Sequence, residues 1–264
     1  MVGEMSSPWR ERTKRAVPAI VHGARLFRLL RNQLRFPIAS TMLDYHGTIL
    51  AGPFAGMRFP RSGIDSYCEV LGTYEQCLIP IVEEIIRRPP PLIIDVGASY
   101  GYYALGFARS CPNSRVIAYE MDRTRAALLR KYRDLNGLNG NPEIRARCST
   151  DDLHSDLSGG RESLLFMDVE GAEDTLLAPD KVPGLARTEI IVELHDIFVP
   201  GTSSRIRQRF AGTHDQTLIE ETPPRMVLPT EYEDVVRPYW RRMTSENRVA
   251  KITWMHLVPK RASA

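Results

Sequence analysis

The chain has little of what would place it in a membrane, a disulfide scaffold or a nucleic-acid complex. Its uninterrupted apolar runs reach only about four residues, against the roughly 20 that a bilayer-spanning helix needs, so no transmembrane segment is expected. Four cysteines (Cys68, Cys77, Cys111 and Cys148) among 264 residues form no C-x-x-C pair and none of the usual zinc spacings. Reduced thiols in a cytoplasmic protein are expected, and no secretory signal is recognisable, because His22, Arg25 and Arg28 break the apolar stretch Ala16–Leu30. Neither sign of charge dominates: 35 basic against 32 acidic residues give +3, too balanced to imply nucleic acid. Internal repeats and low-complexity tracts are absent. With 43% hydrophobic residues the chain has the makings of a globular core.

Charge is unevenly spread. Residues 1–36 hold eight Arg or Lys and two Glu, a local +6 that leaves the remainder at −3. Within them Ile20, Ala24, Phe27, Leu30 and Leu34 share a helical stripe that Arg31 blurs. A basic amphipathic helix over 18–36 is expected, packed on the body or on a second subunit of a homodimer, or else laid on an anionic membrane surface. The expected organisation is a helical extension over 1–50 followed by one catalytic-sized domain over 51–264.

That domain reads as α/β. Gly and Pro set among apolar residues over Leu50–Pro60 suggest an irregular strand pair. Leu78, Ile81, Val82, Ile85 and Ile86 define one helical face, stopped by Pro89-Pro90-Pro91. Leu92–Val96 reads as a strand buried on both faces. Helix Tyr102–Arg109, strand Val116–Tyr119 and a helix capped by Asp122 come next, then strands Glu143–Cys148, Leu164–Met167 and Ile190–Leu194. Beyond Asp196 lie a helix Ser203–Phe210, strands Thr217–Ile219 and Lys251–Val258, and a loop-rich segment 221–248 placed to cover a site. The alternation predicts a doubly wound, mostly parallel seven-stranded sheet.

The chemistry is expected where the first strand ends, in Asp95-Val-Gly-Ala-Ser-Tyr-Gly101. Glycines there let a ligand approach the backbone, and the following helix N-terminus offers free N–H groups. Gly97 and Gly101 stand four apart, so the G-x-G-x-x-G dinucleotide fingerprint is not met. Glu120, at the end of the second strand, is positioned for ribose hydroxyls. A carboxylate opening the loop repels phosphate and favours a cationic amino-acid tail. S-adenosylmethionine (SAM) therefore fits better than NAD.

LIIDVGASYGYYALGFA, VIAYEMD, LLFMDVEGAEDTLL and IIVELHD, in this order over Gly72–Asp196, resemble the FkbM-type SAM-dependent methyltransferases of the Rossmann-like class I group. The resemblance implies that Asp95, Gly97, Ser99 and Gly101 border the methionine moiety, with Tyr100 beside them. It also implies that Glu120 meets the ribose, that Ser149–Asp151 meets the adenine edge through Asp151, and that Glu75 meets the ammonium. The implied activity is O-methylation of a small molecule or glycan.

Moving a methyl to a hydroxyl needs a base or a metal. The candidates are Asp168, Glu170 and Glu173 in DVEGAE and Glu193, His195 and Asp196 in VELHD. His195 is the expected base, oriented or charged by Asp196 or Asp168, because an imidazole titrates near neutrality. The alternative is a magnesium or manganese ion on Asp168, Glu193, His195 or Asp196. Glu170 and Glu173 equally suit a helix N-terminus, His214 a surface or capping place, and Trp240 and Trp254 a core or interface. The competing functions are an NAD oxidoreductase, a catalytically silent scaffold, and a membrane-surface or partner-binding module.

Overall fold

Two carboxylates, Asp95 and Asp168, follow runs of apolar residues that the chain buries side by side, and the sheet explains why. The computed structural model describes residues 47–60, 67–221, 225, 228, 236–244 and 253–260. The expected N-terminal amphipathic helix and most of the segment 221–235 lie outside these residues. From Gly47 onward the chain forms one compact unit.

The elements in chain order are α1 (Cys68–Leu71), α2 (Ile79–Arg87), β1 (Leu92–Val96), α3 (Tyr102–Ser110), β2 (Arg115–Tyr119), α4 (Arg123–Leu135), β3 (Glu143–Arg145), α5 (Thr150–Leu157), β4 (Ser163–Met167), α6 (Glu173–Leu176), β5 (Thr188–Leu194), α7 (Thr202–Phe210), β6 (His214–Glu220), α8 (Trp240–Met243) and β7 (Thr253–Pro259). The strands form one sheet in the order β3-β2-β1-β4-β5-β7-β6. Pairing is parallel from β3 to β5, and β7 runs antiparallel to both neighbours. This is the doubly wound, mostly parallel seven-stranded architecture expected from the alternation.

β1 and β4 are buried along their whole lengths, as strands covered by helices on both faces must be. Ile94, Val96, Leu165, Met167, Ile190 and Val192 pack with Leu153, Ile206 and Phe210 of α5 and α7. On the other face Tyr103 of α3 meets Phe166 (ring centroids 4.0 Å apart), and Phe166 meets Trp254 (5.2 Å). The segment 47–60 closes this layer. Thr48 bridges Arg58 in antiparallel fashion, and Phe54 sits edge-on to Tyr102, Tyr103 and Phe107. Gly106 makes room for it, since a Cβ there would stand 2.5 Å from the Phe54 ring.

Boundaries differ from expectation where pairing or capping overrides pattern. β3 stops at Arg145 rather than Cys148, because Ser149 caps α5 in a reciprocal box with Asp152. β6 extends over His214–Glu220, longer than expected, since every one of its residues pairs with β7. Asp122 caps α4 as expected, its carboxylate accepting from the Thr124 and Arg125 amides at 2.8 Å. None of the described helices is long and apolar enough to cross a membrane. All four cysteines are free thiols.

Candidate active site

Register brings the candidate residues to one edge of the sheet. Val96 is level with Tyr119 on one side and Met167 on the other, so Gly97, Glu120 and Asp168 leave their strands together. Backbone bonds lock the exit: the Gly97 and Ala98 amides donate to the Tyr119 carbonyl, and the Asp168 amide donates to that of Val96. The strand order reverses between β1 and β4, the place where open α/β sheets hold ligands. A Cβ on Gly97 (φ +90°) would fall 1.7 Å from the Asp168 carbonyl oxygen, so only glycine fits this crossing.

The glycine loop is tied to Glu120. Ser99, itself left-handed (φ 48°), donates its amide to Glu120 Oε2 at 2.8 Å, and the Asp122 amide donates to Oε1 at 2.6 Å. Gly101 is left-handed at the N-cap of α3, where a Cβ would strike Leu129. Glu75, Asp95, Gly97, Ser99, Tyr100 and Asp168 line one cleft of about 460 Å³ counted to its open mouth. Asp151 is not among its walls: it lies exposed on the first turn of α5.

The cleft is acidic over an aromatic floor. Glu75 holds a left-handed backbone (φ 45°), is 2% exposed and accepts the Tyr103 hydroxyl at 2.7 Å. Burial and the neighbouring Glu75 charge drive the Tyr103 hydroxyl far above its ordinary range. Asp95 is pushed up to about 8, chiefly by burial and further by Asp168 and Glu120, against a backbone hydrogen bond from Ala104 that lowers it. The sequence placed Tyr102 at the start of a helix and Trp254 in a core or interface, and the structure buries Tyr102, Tyr103 and Trp254. All three do pack, and with Glu69, Tyr74 and Phe166 they also line the cleft. Only side-chain direction, which periodicity at a loop–helix junction does not give, could have found that second role.

β5 runs two residues past the end of β4, which sets Glu193 beside Asp168 and His195 just beyond. His195, 7% exposed, places Nδ1 2.6 Å from Glu173 Oε1, with Nε2 3.5 Å from Glu193 Oε1 and 3.7 Å from Asp168 Oδ1. Phe198 stacks on the ring at 5.6 Å. Burial pulls this imidazole down, but the hydrogen bond to Glu173 and the charges of Asp168, Glu173 and Glu170 outweigh it and hold the group above its ordinary value.

The expected partnership of His195 with Asp196 is corrected by this geometry. The Asp196 carboxylate turns away to the start of α7, 3.3 Å from the Ser203 amide, because the chain turns at once after His195, the Phe198 and Val199 amides returning to the His195 carbonyl. Glu173, an alternative helix-terminus residue in the sequence, is fully buried under the imidazole. For a divalent cation, Asp168, Glu193 and His195 each offer one donor atom within 4.8 Å of the others, and Asp196 is outside the group. His214 lies at the opposite end of β5, its Nε2 2.9 Å from the Thr188 carbonyl oxygen. It is core, and burial pulls its imidazole down.

No family model matches the chain, and no curated protein matches it. Among solved structures it is similar to the O-methyltransferase TomG of Streptomyces achromogenes, solved with SAM, at 15% identity over 71% of this chain and 80% of that one, TM-score 0.47. It is also similar to an O-methyltransferase of Bacillus cereus in complex with SAH, at 15% identity over 67% and 78% of the two chains, TM-score 0.45. At this identity and these scores neither likeness decides what the chain binds. Its own strand order and register define the fold, which is of the Rossmann-like class I methyltransferase type.

Proposed function

We propose that this chain is a SAM-dependent methyltransferase of the FkbM type, acting on a hydroxyl of a small molecule or glycan. The observation that carries this reading is the sign of the cleft. Glu69, Glu75, Asp95 and Asp168 line it, and among the described residues no Arg, Lys or His stands in its walls. A pyrophosphate would be repelled there, whereas a sulfonium and an ammonium are attracted by carboxylates and by the faces of Tyr103, Phe166 and Trp254. Glu120 would take the ribose hydroxyls, since each of its oxygens accepts one amide and keeps a second lone pair.

SAM, when bound, supplies an electrophilic methyl on sulfur. The residues of the chain do the rest: Glu75 holds the cationic tail, Asp95, largely neutral at pH 7 in the free chain, joins it as the cation's charge lowers its pKa, and the Gly97–Gly101 loop excludes water from the β1 end. His195 Nε2, turned toward Asp168, takes the proton of the acceptor hydroxyl. The donor trio Asp168, Glu193 and His195 favours a second reading, in which magnesium or manganese polarises the hydroxyl. Cytoplasmic location belongs to the same proposal and is supported by the four free thiols. So does a role for the basic extension as a dimer or membrane contact, supported by its charge.

Thermal melting with SAM, S-adenosylhomocysteine (SAH) and NAD tests the proposal, because a ligand that binds only the native state raises Tm by mass action. A rise with both adenosyl ligands and none with NAD is expected. A rise with NAD alone would establish the oxidoreductase instead, and no rise with any of them the scaffold. Repeating the melt with magnesium and with chelator separates the base from the metal reading, which requires a rise with magnesium that chelator removes.

A further inference from the structure

We infer that Glu173 is the positioning residue of the site, holding His195 as the Nδ1–H tautomer with a bare Nε2 turned toward Asp168 and Glu193. This inference rests on the proposed function for its chemical meaning, though not for its geometry. Three observations carry it. Glu173 is 0% exposed, and its Oε1 lies 2.6 Å from His195 Nδ1, the shortest contact this imidazole makes with an acid. The same Oε1 accepts the Gly171 amide at 3.0 Å, and against an ionised carboxylate, which can only accept, the ring nitrogen facing it is the donor. The turn that delivers that amide is unusual, with Glu170 (φ 49°) and Gly171 (φ 110°) consecutively left-handed, a conformation a non-glycine residue adopts only at a cost.

The DVEGAE segment thereby acquires a physical reason. Asp168 faces the cleft, Glu170 and Gly171 make the reversal, and Glu173 returns beneath the imidazole from the first turn of α6. An ionised carboxylate can only accept, so a proton on Nδ1 leaves the lone pair on Nε2, the nitrogen nearest Asp168 and Glu193. Either chemistry weighed for this site, proton removal or metal ligation, needs that lone pair. Phe198 on the ring face restrains rotation about the Nδ1 contact. Asp196, turned to the Ser203 amide of α7, has no such role.

Nitrogen-15 NMR of the full chain, recorded where the imidazole is neutral and assigned by loss of signals in His195→Gln, reads the tautomer directly. The expected spectrum has the proton on Nδ1, strongly downfield and slow to exchange, and a bare Nε2. In Glu173→Gln, whose amide can donate as well as accept, the Nδ1 proton is expected to move upfield and the Nε2–H form to appear. Glu173→Asp, one methylene shorter, should keep the Nδ1–H form with a weakened bond. A proton on Nε2 in the wild-type chain, or a tautomer unmoved in Glu173→Gln that is folded by circular dichroism, would overturn the inference. Melting with SAM is read separately. A chain that shows the Nδ1 proton but no SAM stabilisation keeps the pair and loses the methyltransferase reading, and the reverse result keeps the reading and loses the pair.

Discussion

Gly97 is the residue on which the site's geometry turns. Its missing side chain lets β1 pass within contact distance of the backbone that follows β4, and its positive φ turns the loop toward Glu120. Gly97→Ala is expected to lose at least roughly 1–3 kcal/mol from the backbone conformation alone. Because the added carbon must also displace Asp168, SAM stabilisation should vanish with it, as urea melts with and without SAM would show. Asp95 supplies a pH signature. Its unfolded value is 3.8 and its folded value about 8, so between these the native state binds more protons than the unfolded state. The stability it contributes is present below about pH 4 and is lost as pH rises toward 8. Asp95→Asn removes that slope. The Tm of the variant should gain on wild type steadily from pH 4 to pH 8, and parallel curves would show that Asp95 is ionised throughout.

At the scale of elements, α6 and α7 hold the walls around His195 through one carboxylate. Asp174 receives Arg205 Nε at 2.8 Å and Arg209 Nη2 at 2.7 Å, while Arg209 Nη1 also reaches the Asp174 carbonyl oxygen. Asp174→Asn should cost about 1 kcal/mol in urea unfolding, the partial exposure of both arginines discounting their charge. Much of this frame was legible in the amino acids. The strand Leu92–Val96 and the Asp122 cap were readable because continuous burial and capping chemistry are local signals. The loop DVGASYG was readable for the same reason. The cleft it borders was legible only in part, since Glu75, Asp95 and Ser99 meet there through strand order. The pairing of His195 with Glu173 spans 22 residues and depends on a left-handed reversal that no periodicity encodes, so proximity in sequence pointed to Asp196 instead. Asp151 has a local reason of its own, since a capping-box helix begins with acids whether or not a ligand is near.

The whole molecule separates its charges. Its N-terminal 36 residues carry the excess of basic groups, and the cleft, at the switch point of a mildly acidic body, carries none among the described residues of its walls. On the proposed reading, Glu120 at the end of β2 and the carboxylates at the ends of β1 and β4 would hold a cationic adenosyl ligand. Isothermal titration of the full chain with SAM, alongside the same titration of Glu120→Ala, tests that claim most directly. Saturable binding by wild type, weakened about tenfold or more (~1.4 kcal/mol) in Glu120→Ala, is the predicted result. No heat of binding from wild type, or equal affinity in both chains, would contradict the placing of SAM at these strand ends.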